Sequence, residues 1–285
     1  MARLLSGKAV ADHINEDLVR RVNALKERGT APCLCVIRIR ENPGDLSYEK
    51  GILAICKKTG ILCRPVHLDA GIPQEELISR IRELNGDDTV HGVLLLRPLP
   101  AGYEEAKVVN SLCPEKDVDG MTDLSMSGLL VRRKTGFAPC TAEAAMAFLD
   151  YYAVGCTGKR AVVIGRSLVF GKPAALLLTD RNATVTLCHT KTKDLPAVAR
   201  EAEILMVATG HPNTVGADCV SPGQVVIDVG INMGKDHRLC GDVAFDEVEQ
   251  IVDAITPVPG GVGAVTTSIL ARHVTEACEK AAGMR

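Results

Sequence analysis

Lys159-Arg160-Ala161-Val162-Val163-Ile164-Gly165-Arg166-Ser167-Leu168-Val169-Phe170-Gly171-Lys172-Pro173 is the stretch on which the fold turns. The apolar run Ala161 to Ile164 stops at Gly165, a short polar break follows, Gly171 marks a second tight point, and Pro173 to Leu178 permits a helix. A buried parallel strand that feeds a glycine turn and then a helix N-terminus is how α/β proteins hold a pyrophosphate. The helix end presents unpaired N–H groups and a positive dipole, and glycine lets the backbone approach phosphates closely. The pattern is G-x-S-x-x-x-G rather than G-x-G-x-x-G, so by itself it also suits an ordinary strand-to-helix turn.

Downstream, strands are expected at Thr184 to Cys188, Ile204 to Ala208 and Val225 to Val229, the last two running into Thr209-Gly210 and Gly230. Repeated strand and helix patterns of this kind imply a βαβ domain. Upstream, a helical pattern opens at Ser6-Gly7-Lys8, runs through Ile14, Leu18, Val22 and Leu25, and stops at Gly29. Leu34 to Ile39 reads as a strand, Asn42-Pro43-Gly44-Asp45 as a turn, and Tyr48 to Lys58 as a helix ended by Gly60. Strand Leu62 to Leu68, helix Pro73 to Leu84 and strand His91 to Leu96 continue the alternation, which implies a mainly parallel sheet. Lys116 to Thr141 is loop-rich and is the expected domain junction. Ala142 to Tyr152 and Thr266 to Ala282 read as helices, the latter able to return to the first domain.

Composition is that of an ordinary globular protein, with 285 residues, 46% hydrophobic and 24% charged. A net charge of −2 gives no electrostatic case for nucleic acid or an anionic membrane. No apolar run approaches a bilayer span, and Met1 to Lys8 lacks the apolar core of a signal peptide. The 11 cysteines form no C-x-x-C pair. Reduced thiols, a cytoplasmic setting and no metal site are therefore expected.

NAD-binding domains usually place an acidic residue at the end of the second strand, for the ribose 2′-OH. Here that strand ends in Cys188-His189-Thr190-Lys191-Thr192, without one. Arg166, Thr190 and Lys191 are suited to surround a 2′-phosphate, which favours NADP over NAD; the alternative is that Arg166 and Lys191 are solvated surface charges.

The string Ile255-Thr256-Pro257-Val258-Pro259-Gly260-Gly261-Val262-Gly263 is far more specific. Its prolines and glycines fix a rigid loop that a flat ligand can approach closely. It resembles the T-P-V-P-G-G-V-G signature of the methylenetetrahydrofolate dehydrogenase/cyclohydrolase family. Asn42-Pro43 with Tyr48, Arg97-Pro98-Leu99-Pro100, Lys116-Asp117-Val118-Asp119-Gly120, Pro139-Cys140-Thr141, Gly165-Arg166-Ser167 and Asp228-Val229-Gly230-Ile231-Asn232 agree in order and spacing.

The resemblance implies an α/β protein of two domains with an active-site cleft between them. These would be a folate-side domain (residues 1–118 plus 266–285) and a Rossmann-like dinucleotide-binding domain (residues 119–265). It also implies a homodimer. Tyr48 would stack near the folate, the Asp119 carboxylate would bind the pterin edge, and Pro259, Gly260 and Gly261 would shape the folate wall. Gly165, Arg166, Ser167 and Gly171 would hold the dinucleotide phosphates, with Thr209, Gly210 and Ile231 along the cofactor. For Asp119 a loop-capping role is the alternative.

One departure matters. The family helix carries Y-x-x-x-K, whose lysine serves the cyclohydrolase step, but the fourth residue after Tyr48 is Ile52. The glutamine of the family's Q-L-P-L-P motif is replaced by Leu96, and Asp45 stands where serine is usual. Residues two apart on a helix point about 200° away, so Lys50 should not substitute for the missing lysine. The expectation is oxidation of 5,10-methylenetetrahydrofolate by a dehydrogenase with weak or absent cyclohydrolase activity. The rivals are a bifunctional enzyme using another base, such as Lys50 or Lys57, and a folate-binding protein without catalysis.

Overall fold

The computed structural model describes residues 1–133, 135–234 and 237–284. Lys134, Lys235, Asp236 and Arg285, which fall within the expected junction and domains, lie outside the described residues. The chain begins β1 (Arg3–Leu4), α1 (Gly7–Glu27), β2 (Cys33–Arg38), α2 (Pro43–Thr59), β3 (Leu62–His67), α3 (Gln74–Asn85) and β4 (Gly92–Leu95). It continues with α4 (Glu105–Val109), α5 (Asp123–Leu130), α6 (Cys140–Tyr151), β5 (Arg160–Ile164), α7 (Gly171–Asp180), β6 (Thr184–Cys188), α8 (Leu195–Arg200) and β7 (Ile204–Val207). Then come β8 (Val225–Asp228), β9 (Asn232–Met233), β10 (Leu239–Cys240), α9 (Phe245–Val248), β11 (Ala254–Ile255) and α10 (Thr266–Ala281). The chain divides into two compact units, one of His13–Cys140 with Thr267–Arg285, the other of Met1–Asp12 with Thr141–Thr266.

The first unit is built on a parallel three-stranded sheet in the order β3-β2-β4. Central β2 is buried along its whole length, as a strand flanked on both edges and covered on both faces must be. Ile37, Leu77, Ile78, Ile81 and Val93 lie in its core. Helix α2 starts earlier than expected. Asn42 does not open a free turn; its Oδ1 accepts the Asp45 N–H at 2.8 Å and caps the helix, with Pro43 in the first turn. Asx-turn and N-cap use the same side-chain chemistry, and here the helix wins because Ile52, Ile55 and Cys56 bury its inner face.

The stretch expected to hold the junction carries structure of its own. Lys116 to Thr141 is not merely loop, since Asp117 accepts the N–H groups of Met121 at 3.0 Å and Thr122 at 2.8 Å and the Ser125 hydroxyl at 2.6 Å. These bonds build the entry to α5, and the compact unit that holds the stretch runs on to Cys140.

The second unit carries a six-stranded parallel sheet in the order β1-β11-β8-β7-β5-β6, with a short antiparallel β9/β10 ribbon. Its core includes Val162, Ile164, Leu205, Val207 and Val226. The edge strand β1 pairs Arg3 with Ala254 and Leu4 with Ile255. Arg3 and Leu4 thus add an edge strand to the dinucleotide-type sheet. A two-residue strand carries too little pattern to show this in the sequence.

Candidate active site

In the second unit, strand β5 lies between β6 and β7, so successive crossovers leave it in opposite directions. In open parallel sheets, ligands bind at the carboxyl ends of the strands around such a reversal. Gly165 follows β5, Thr190 and Lys191 follow β6, Thr209 and Gly210 follow β7, and Ile231 follows β8, so the fold brings these turns to one edge of the sheet. Gly165 has φ +120°, and a Cβ there would collide with the Ala208 carbonyl oxygen. A Cβ on Gly171 would strike the Gly165 carbonyl oxygen. The turn is thus closed so tightly that both positions require glycine. Ser167 Oγ accepts the Phe170 N–H at 3.2 Å, which shapes the entry to α7 and leaves the hydroxyl proton to donate elsewhere. Arg166, Thr190 and Lys191 are exposed.

Two carboxylates missed in the sequence organise this edge. Asp228 accepts the N–H groups of Gly230 at 2.9 Å, Asp242 at 3.1 Å and Val243 at 3.0 Å. Asp242 accepts those of Thr209 and Gly210 and the Asn232 amide at 2.8 Å. Burial raises the Asp228 carboxyl to about 6, against the pull of those three N–H donors. Asp228 stood inside a quoted motif, but only its backbone partners identify its task. A cavity of about 280 Å³ opens beside these turns, lined by Ile231, Leu239, Pro259, Gly260 and Gly261 among others. The loop from Pro257 is held by the Gly7 N–H, which donates to Gly260 O at 2.8 Å. A Cβ on Gly261 would meet the Pro257 carbonyl oxygen.

In the first unit, Tyr48 and Ile52 follow one another by a helical turn on α2. Ile52 is fully buried (0% exposed) and Leu96 nearly so (6%), whereas Lys50 and Lys57 are exposed. Burial, with Asp119 and Cys140 nearby, pushes the Tyr48 phenol well above its ordinary range, so it stays neutral. Burial likewise raises the Asp119 carboxyl to about 6, although Arg97 pulls it down. Next to Tyr48, Glu49 turns the other way. Its two oxygens take Arg38 Nε at 2.6 Å and His67 Nε2 at 2.7 Å, which locks α2 to strands β2 and β3. Asp45 pairs with Arg40 at 2.8 Å.

Arg97 was passed over in the sequence. Its guanidinium holds Glu105 at 3.1 Å and stands 3.9 Å from Asp119 Oδ2. The available signal was its place in the Q-L-P-L-P motif, where leucine is usual. The described residues contain no group of three His, Cys, Asp or Glu side chains able to hold a metal ion, and no helix long and apolar enough to cross a membrane.

Comparisons with known proteins agree with this layout. Residues 5–119 match the catalytic domain of tetrahydrofolate dehydrogenase/cyclohydrolase, and residues 139–282 match its NAD(P)-binding domain. The bifunctional protein FolD of Carboxydothermus hydrogenoformans is 49% identical over 281 residues, covering 98% of each chain. The crystal structure of the bifunctional FolD dehydrogenase/cyclohydrolase from Campylobacter jejuni superposes with a TM-score of 0.96 at 38% identity, covering 98% of this chain and 99% of that one. The Trypanosoma brucei FolD, solved with NADP and an inhibitor, gives 0.93 at 32% identity, over 99% of this chain and 98% of that one. With both of its domain types present in order and near-complete coverage at these identities, the chain belongs to the tetrahydrofolate dehydrogenase/cyclohydrolase family.

Proposed function

We propose that this protein oxidises 5,10-methylenetetrahydrofolate to its 5,10-methenyl derivative with NADP, and that it hydrolyses the product little or not at all. The observation that carries the second half is Ile52. The family's catalytic lysine position, one turn after Tyr48, holds a fully buried aliphatic side chain.

The bound nicotinamide supplies the hydride acceptor. The glycine turn fits a dinucleotide, because Gly165 and Gly171 leave room where any Cβ would intrude. Gly165, Arg166, Ser167 and Gly171 hold the phosphates, and Thr209, Gly210 and Ile231 lie along the rest of the cofactor. Arg166, Thr190 and Lys191 surround the 2′-phosphate and give NADP its advantage over NAD. The Trypanosoma relative crystallised with NADP supports that choice. Asp119 orients the pterin and Tyr48 covers it as a neutral phenol; on the family resemblance Pro259, Gly260 and Gly261 are assigned to the folate wall.

Hydride transfer needs two ligands aligned and no obligatory side-chain base, so positioning by these residues suffices. Hydrolysis of the methenyl product requires an activated water and a moved proton, which is general acid–base work. Ile52 and Leu96 have no group for either task. The bifunctional relatives favour a second reading, in which another base has taken over. The exposure of Lys50 and Lys57 speaks against both as that base. On the family resemblance we also assign a cytoplasmic homodimer.

The test is turnover of purified protein with 5,10-methylenetetrahydrofolate and NADP or NAD, following reduced cofactor, methenyl and 10-formyl products together. Methenyl product accumulating with hydrolysis at the uncatalysed rate is the expected result. Formation of 10-formyl product above that rate would establish the bifunctional reading instead.

A further inference from the structure

Arg97 follows β4 and stands beside Asp119, where the two border a small cavity of about 20 Å³ whose remaining lining is mostly apolar, including Ile81, Val93, Val108 and Leu112. The Arg97 side chain is only 20% exposed, and its NH1 is fixed by Glu105 at 3.1 Å. Glu105 is in turn held by the Leu99 N–H at 3.0 Å, so Arg97 is braced on its own loop. Its second terminal nitrogen faces Asp119 Oδ2 at 3.9 Å, too far for a hydrogen bond. Arg97 is bonded to Glu105 and Asp119 to the Cys140 thiol, but without a direct hydrogen bond between them each keeps donor or acceptor capacity for a third partner.

Together they present two carboxylate acceptors followed by a guanidinium donor. We propose that Arg97 is a specificity-determining residue that donates to the ring carbonyl of the substrate while Asp119 accepts from its neighbouring N–H and amino groups. This inference rests on the folate reading above. The 2-amino-4-oxo edge of a pterin runs donor, donor, acceptor, the complement of what Asp119 and Arg97 display. A leucine at this position would leave the carbonyl unread by any side chain from here. Arginine suits the task because its planar fork stays charged and keeps one N–H pair on Glu105 while offering the other.

The experiment uses the full chain and competitive inhibition of dehydrogenase turnover by two probes, tetrahydrofolate and its 2,4-diamino counterpart. The diamino compound replaces the carbonyl acceptor with a donor facing Arg97, and it also removes the N3 proton that Asp119 accepts. R97L removes only the first mismatch. The wild-type preference for the 4-oxo probe should therefore fall roughly tenfold in R97L, the scale of one charged hydrogen bond. R97K should retain part of that preference, which also guards against a folding defect in R97L. The KM for 5,10-methylenetetrahydrofolate should rise in R97L while kcat changes little. An unchanged 4-oxo to 4-amino ratio in R97L, with wild-type turnover intact, overturns the role of Arg97 and leaves the folate reading standing. Absence of wild-type turnover with 5,10-methylenetetrahydrofolate overturns both.

Discussion

Replacing Glu49 with glutamine tests whether the buried ion pair beside Tyr48 holds α2 in place. Glu49 and Arg38 are 7% and 6% exposed and meet at 2.6 Å. Without the carboxylate, Arg38 keeps Arg40 O at 3.3 Å and the exposed Glu41 at 3.2 Å among the described residues. Removing one partner of a buried pair typically costs 3–5 kcal/mol, and the retained shape and carbonyl of glutamine place E49Q near the lower end, about 3 kcal/mol. An R38M/E49L double substitution removes both charges and should cost clearly less than the sum of R38M and E49L, with a coupling of about 2 kcal/mol. Urea denaturation of the wild type and these variants measures both quantities.

The pH dependence has a definite sign. Burial pushes the Glu49 carboxyl up, but the hydrogen bonds from His67 and Arg38 prevail and hold it below its ordinary value of 4.5. Its stabilisation is therefore complete above that value and is lost as pH falls through the lower folded value. The gap between wild type and E49Q should shrink on acidification below about pH 4.5. A gap under about 1 kcal/mol at neutral pH, with additive substitutions, would refute the reasoning.

Restoring lysine and glutamine together, as I52K/L96Q, should raise hydrolysis of methenyltetrahydrofolate above the uncatalysed rate, while I52K alone should lose about 3 kcal/mol of stability by burying an unpartnered ammonium. Product analysis and denaturation read the two effects. Gly171→Ala should weaken NADP binding at least tenfold, because the turn must open to clear the Gly165 carbonyl; fluorescence titration of the dinucleotide measures it. Substituting Arg166 by glutamine should raise the KM for NADP and leave that for NAD nearly unchanged, as steady-state kinetics will show. Asp228, whose folded value of about 6 lies above its ordinary 3.8, should contribute stability at low pH that declines as pH rises through that window. D228N should remove this decline from the stability–pH profile.

Much of the architecture was legible because it is written locally. Gly165 and Gly171 announce a tight strand-to-helix turn, and the buried runs of β2 and β5 announce parallel strands. Asn42 shows where local reading divides. The same Asx chemistry begins a turn or a helix, and only the buried face of α2 decides. Other features depend on residues far apart in sequence. Asp242 is 33 residues from the Thr209 N–H it accepts, and nothing near either one signals the pairing. Arg97 and Asp119 meet only because β4 and the stretch after it return to the same end of the sheet. Glu49 and Arg38 lie 11 residues apart, and their buried pairing carries no local signal either. The identities of Tyr48, Ile52, Leu96 and Asp119 came from a motif, but their burial and charge state came from packing.

The crossed membership of the chain ends has a consequence for synthesis. Residues 1–12 supply the edge strand of the sheet formed by residues 141–266, while the residues from Thr267 onward complete the other unit. As the chain leaves the ribosome, its first strand must wait for β11 at Ala254–Ile255, and the first unit must wait for α10. Neither unit can close early, so the two should acquire protection from proteolysis late and nearly together. Nascent chains stopped before Ala254 should be degraded rather than persist as a folded half.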